Sequence, residues 1–85
     1  MQTVEIYTSA FCGYCVAAKR LLKSKGVTFS EYNIGADATK RQEMMSRANG
    51  GHTVPQIFIG DNHVGGCDEL MALERAGKLD AMLAG

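Results

Sequence analysis

Little in this chain of 85 residues points to a charged or a lipid partner. Lysine and arginine together number nine and so do aspartate and glutamate, leaving a formal net charge of zero. No electrostatic case therefore exists for nucleic acid or an anionic membrane surface as the main partner. No run approaches the roughly 20 apolar residues that span a bilayer, and no basic start precedes an apolar stretch of signal-peptide length. The expected location is the cytoplasm. Repeats, low-complexity tracts and linkers are also lacking, so one small domain over residues 1–85 is expected, near the lower size at which a core suffices without staples. Cysteine is scarce and odd in number, at three, which argues against a framework of structural disulfides. Proline occurs once, at position 55.

Two of the three cysteines stand in Cys12-Gly13-Tyr14-Cys15, where the extended run Val4-Glu5-Ile6-Tyr7 gives way to a helix-like stretch. A sulfur at the amino end of a helix meets unpaired N–H groups and the positive end of the macrodipole, both of which favour thiolate. Three residues on, at 3.6 residues per turn, Cys15 falls on nearly the same face, within reach of reversible disulfide formation. The same spacing serves half of a zinc site, or two small buried apolar residues. Zinc normally recruits a second pair close in sequence, whereas Cys67, His52 and His63 are scattered completions. Thiol chemistry is the stronger reading.

Along the chain, residues 3–8 alternate with period two and predict a strand with Val4 and Ile6 on one face. Residues 13–25 predict a helix ending at Gly26, with Val16, Ala17, Leu21 and Leu22 buried. Its Lys19, Arg20, Lys23 and Lys25 read as a solvated face, with an anion-attracting field near Cys12 as the alternative. Val27–Ile34 reads as a second strand, parallel to the first by a right-handed crossover. Asp37 is a natural N-cap for a helix over 38–48 with Met44, Met45 and Ala48 inward. Pro55 opens a strand over 56–59; taken alone, its peptide bond favours trans. A hairpin at Gly60-Asp61-Asn62 leads to a short strand at His63-Val64, then a helix over 69–76 with Leu70 and Leu73 inward, and a tail helix after Gly77. The order β-α-β-α-β-β-α predicts an α/β architecture, a four-stranded mixed sheet flanked by helices. Two glycine-flanked loops, 50–55 and 65–68, fall near the end of the sheet that carries the cysteine pair.

Three motifs in this order resemble a glutaredoxin of the small bacterial dithiol type: Cys12-Gly-Tyr-Cys15 after the first strand, Thr53-Val54-Pro55 before the third, and Gly65-Gly66-Cys67-Asp68 opening the last helix. The resemblance covers the whole chain and implies a thioredoxin fold with Pro55 cis. It implies a glutathione-dependent thiol–disulfide oxidoreductase acting on protein disulfides and glutathionylated proteins, with Cys12 the nucleophile and Cys15 the resolving thiol. For glutathione it implies a site formed by Cys12, Tyr14, Arg41, Gln42, Thr53, Val54, Pro55, Gly66, Cys67 and Asp68. There Val54 would pair with the cysteinyl unit as a one-residue strand. The N–H groups of Cys67 and Asp68 would take the γ-glutamyl carboxylate, the Asp68 side chain the ammonium, and Arg41 or Gln42 the glycyl carboxylate. Cys67 reads as a small packed residue lending its backbone.

Two departures from the family pattern stand out. Ser9 occupies a position where many members carry a lysine, and Gly13 replaces the usual proline between the cysteines. In relatives with a small residue at that place, a [2Fe-2S] cluster is bound. The resemblance therefore implies a monomer without metal and, as the alternative, a homodimer bridged by a cluster on Cys12 of each chain and two glutathiones.

Overall fold

The computed structural model describes residues 2–85. Its elements are β1 (Val4–Thr8), α1 (Gly13–Ser24), β2 (Ser30–Asn33), α2 (Ala38–Arg47), β3 (Gln56–Ile59), β4 (Asn62–Gly65), α3 (Cys67–Arg75) and α4 (Leu79–Ala84). The sheet order is β2-β1-β3-β4, with β1 and β2 parallel and the other two pairings antiparallel.

Period-two alternation in β1 and β3 divides the core between the two faces of the sheet. Val4, Ile6, Ile57 and Ile59 pack with Ala18, Leu22, Leu70, Leu79 and Leu83, so α1, α3 and α4 cover one face. Tyr7 and Phe58 point the other way, against Ile34, Met44 and Ala48, where α2 is the covering helix. Fully buried leucines such as Leu22, Leu70 and Leu79 carry the first layer; truncating one to alanine costs about 2–5 kcal/mol.

The α2 layer is held differently, because Met44 is the only residue of that helix that is fully buried. Polar contacts supply the rest. The Tyr7 hydroxyl donates to Glu43 at 2.5 Å and accepts from Arg47 at 2.8 Å. Arg47 also donates to Glu5 at 3.0 Å, and its guanidinium lies 4.1 Å from the centre of the Phe58 ring. Burial, reinforced by the Glu43 carboxylate, pushes the Tyr7 phenol up to about 12. Asp37 caps the helix as expected, accepting the Lys40 N–H at 3.0 Å.

Several boundaries differ from the expectation. The second strand is Ser30–Asn33 rather than Val27–Ile34, because its parallel register with β1 begins only at Glu5 opposite Ser30. Upstream the two segments part, leaving a hollow between Gln2–Val4 and Thr28–Ser30. Val27 still places its side chain in the core, after a left-handed turn at Gly26 (φ 72°). The buried stripe of α1 is Cys15, Ala18 and Leu22, with Ala17 and Leu21 at its margin and Val16 half exposed. The stripe is thus rotated by one residue, since Cys15 counts as an apolar core position. The third helix begins at Cys67, two residues before the expected start. Arg20 and Lys23 are solvated as read, but Lys19 pairs with Glu31 at 3.0 Å, and Lys25 ties α1 to Glu74 at 2.7 Å and Asp80 at 2.9 Å.

Candidate active site

The parallel pair β1–β2 and the crossover through α1 set the amino end of α1 just beyond the carboxyl end of β1, a central strand of the sheet. Cys12 is the N-cap of that helix, with extended backbone (φ −103°, ψ 103°), and its Sγ accepts the N–H of Cys15 at 3.1 Å. The two cysteines are disulfide-bonded, with Cα atoms 5.2 Å apart. Cys15 is buried, whereas Cys12 is only partly so. Among the described residues the large apolar side chains left exposed are Phe11, Tyr14 and Val16, all flanking the pair. Phe11 holds a left-handed backbone (φ 58°), uncommon for a residue with a side chain, and its ring is fully exposed.

Opposite the pair, the loop before β3 brings Val54 alongside, its carbonyl oxygen 3.8 Å from Cys12 Sγ. The Val54–Pro55 bond is cis. Val54 tucks its side chain against the α2 cluster, and its N–H and C=O take part in no backbone hydrogen bond among the described residues. An unpaired edge of this kind receives an extended peptide.

The third wall is the start of α3. Gly66 is the N-cap and has no side chain to offer the helix. Glu69 reaches back to the Gly66 N–H at 2.6 Å, leaving the first-turn N–H groups of α3 without a side-chain cap. A bare helix start favours an anion. Asp68, in the same turn, is exposed, and Cys67 is a buried free thiol. Burial, followed by the charges of Asp68 and Glu69, pushes the Cys67 thiol up, away from the reactive thiolate.

These walls enclose an open cleft of about 350 Å³ lined by Tyr14, Thr53, Val54, Pro55, Gly66, Cys67, Asp68 and Glu69. Seven of the ten residues expected at a glutathione site thus line one cleft, and Cys12 borders it through Val54. Arg41 and Gln42 do not line it; they are exposed on α2. Sequence reasoning missed Glu69, although a glutamate three residues after an N-cap is a recognisable capping signal. Ser9 lies in a separate hollow of about 450 Å³ on the other flank of Cys12, together with Lys19 and Glu31. Of the residues weighed as zinc completions, His63 stacks on Phe58 and bonds to Gln56 at 2.6 Å. Among the described residues no three His, Cys, Asp or Glu side chains gather closely enough to hold a metal ion. No helix among them is long and apolar enough to cross a membrane.

The family model for glutaredoxin matches residues 4–64, a span that includes the cysteine pair and Thr53-Val54-Pro55. The chain belongs to the glutaredoxin family. It is similar to a glutaredoxin of Pseudomonas aeruginosa, 56% identical over 84 residues that cover 99% of each chain. Glutaredoxin 3 of Escherichia coli K12 is 55% identical over 83 residues, covering 98% of this chain and 99% of that one. Among solved structures, a buckwheat glutaredoxin–glutathione complex superposes with a TM-score of 0.85 at 33% identity, over 98% of this chain and 77% of the other. The four-stranded mixed sheet with its flanking helices is the thioredoxin fold. As a glutaredoxin, the protein is a glutathione-dependent thiol–disulfide oxidoreductase.

Proposed function

We propose that Cys12 is the nucleophile of this activity, that Cys15 is the resolving thiol, and that glutathione lies extended in the cleft between Tyr14, Val54 and the start of α3. One observation carries the reading: the sulfur at the amino end of α1 lies against an unpaired backbone edge, and that edge and a bare helix start border the same cleft. Glutathione is an extended tripeptide with two carboxylates and one ammonium, so it needs a strand-like edge and charge partners at both ends. Val54 supplies the edge for the cysteinyl unit. The Cys67 and Asp68 N–H groups take the γ-glutamyl carboxylate and the Asp68 carboxylate takes the ammonium. The glycyl carboxylate falls to Arg41 or Gln42. The buckwheat complex supports the ligand class, being a relative of the same fold with glutathione bound.

With a glutathionylated protein, the Cys12 thiolate attacks the glutathionyl sulfur, the Cys12–glutathione disulfide forms, and the protein thiolate leaves and is protonated. A second glutathione thiolate then attacks the bound glutathionyl sulfur, giving oxidised glutathione and free Cys12. With a protein disulfide, Cys12 forms a mixed disulfide, and Cys15 attacks Cys12 Sγ to release the protein dithiol. That closes the Cys12–Cys15 bond, which two glutathiones reopen. Cys12→Ser is expected to abolish both reactions and Cys15→Ser only the second. Full deglutathionylation by Cys12→Ser overturns the assignment.

A [2Fe-2S] cluster is the second reading, and the open space at Gly13 favours it, since a Cβ there would meet nothing within 4 Å. Cys15 and Cys67 are buried, so each chain offers one reachable thiolate, Cys12. Four ligands then require Cys12 from two chains and two glutathione thiolates. Bound there, the cluster supplies iron–sulfur redox chemistry and masks the nucleophile. Anaerobic reconstitution with iron, sulfide and glutathione is expected to give a brown dimer; a colourless monomer rejects it. The reading further takes the 85 residues as one domain, monomeric without a cluster, acting on glutathionylated and disulfide-containing proteins. Its compartment is the reducing cytoplasm, where thiols are kept reduced.

A further inference from the structure

The cleft depends on where the loop before β3 holds Thr53 and Val54, and its fastening is a buried side chain outside the cleft. Gln56, the first residue of β3, is buried at 5% exposure. Its Nε2 donates to the Thr53 carbonyl at 3.1 Å and to Thr53 Oγ1 at 3.4 Å. Its Oε1 lies 2.6 Å from Nε2 of His63, whose ring is stacked on Phe58 with centroids 4.9 Å apart. The two Thr53 acceptors leave only one orientation for the amide, with Oε1 toward His63, so His63 must present an N–H there. Both the Nε2–H tautomer and the imidazolium do so.

The first half of the loop holds itself, through Gly50 N–H to Met45 O at 2.8 Å and Gly51 N–H to Ala48 O at 3.1 Å. Beyond Gly51 the loop forms no backbone-to-backbone hydrogen bond among the described residues, and Pro55 has no N–H to give. Apart from Cys12 Sγ beside the Val54 carbonyl, the Gln56 amide is therefore the side-chain polar tie of this segment among the described residues.

We propose that Gln56, backed by His63, is a positioning residue for glutathione: it sets the height of the Thr53–Val54 backbone at which the cysteinyl unit is received. The inference rests on the reading that this edge receives glutathione. Gln56 does not touch the sulfurs, so its loss weakens ground and transition states alike. That pattern raises KM and leaves kcat in place.

The test is steady-state kinetics with a glutathionylated peptide, on wild type, Gln56→Met and His63→Phe. Methionine keeps the volume and removes the donor. Phenylalanine keeps the stack and removes the N–H behind the amide. Losing a buried neutral hydrogen bond predicts a KM about three- to ten-fold higher for Gln56→Met, and a smaller rise for His63→Phe, with kcat and the pH dependence of Cys12 alkylation unchanged. Wild-type KM in Gln56→Met overturns the proposal, as does a fall in kcat at constant KM. If Gln56→Met fails to fold, His63→Phe decides by the same criterion. A parallel NMR titration of the wild type with glutathione separates the two levels. If the amides of Val54, Cys67 and Asp68 do not shift, the site reading falls and this inference with it. If they shift while KM stays at the wild-type value in the variants, only the inference falls.

Discussion

Replacing Asp68 by Asn tests the polar end of the cleft. Asp68 is exposed and sits in the first turn of α3, where its carboxylate acts on the helix and, in the proposed binding mode, on glutathione. Toward the helix, it complements the macrodipole by about 0.3–1 kcal/mol, and the low end applies because Glu69 remains in the same turn. Toward glutathione, the proposed binding mode pairs it with the γ-glutamyl ammonium. At an exposed position such a pair contributes at most about 1 kcal/mol, or about five-fold in binding. In that mode its charge would also oppose the glutathione carboxylate held by the same helix start, which trims the net loss. The assay compares kcat/KM for mixed disulfides of a small thiol with glutathione and with glutathione lacking the α-amino group. The wild type is expected to prefer the complete tripeptide by about five-fold at low salt, a preference that shrinks as salt screens the pair. In Asp68→Asn the ratio should fall to about one. The Cys67 thiol should also move down toward its ordinary value, because Asp68 is one of the groups that raise it. An equal penalty on both substrates would refute the reasoning, since the charge would then be acting on something other than the ammonium.

Other outcomes follow from the same geometry. In Gly51→Ala the new Cβ would lie 3.1 Å from both Ala48 Cβ and Gln56 Nε2 and 3.2 Å from the Ala48 carbonyl. Overpacking against a backbone atom should destabilise the fold by about 1–3 kcal/mol, read from the denaturant midpoint; an unchanged midpoint contradicts it. Gly13→Pro fills open space at the first position of α1, so it should stabilise by about 0.4–1 kcal/mol in the same measurement, and a loss contradicts it. Three carboxyls lie below their ordinary value of 4.5: Glu5 through Arg47, Glu31 through Lys19, and Glu43 through Tyr7. Their contribution is complete above 4.5 and is lost as the pH falls through their lowered values, so urea midpoints should drop on acidification below about 4.5. A midpoint that is flat across that window tells against the ion pairs.

Where local chemistry decides, the sequence was legible. The period-two run of β1, the aspartate cap of α2 and the cysteine pair at a strand–helix junction all declare themselves within a few residues. The cis bond before Pro55 did not. A lone X-Pro bond favours trans, and only the resemblance carried by three motifs indicated otherwise. Tertiary contact decided the rest. The stripe of α1 turned by one residue because Cys15 packs as core, and β2 shortened because its pairing with β1 begins only at Glu5 opposite Ser30. Gln56 and His63 read as ordinary strand residues, and their tie to Thr53 exists only once β3, β4 and the loop are assembled. Arg41 and Gln42 were assigned through the resemblance, which says nothing about side-chain reach; the structure leaves them exposed outside the cleft.

Titration of the reduced Cys15→Ser variant, following thiolate absorbance against pH, tests the central claim most directly. If the amino end of α1 ionises Cys12, the thiol should titrate below the free-cysteine value of about 8.5, within roughly 3.5–7.5. A midpoint at or above 8.5 would contradict the account, for it would mean that the helix start does not prepare the sulfur to attack.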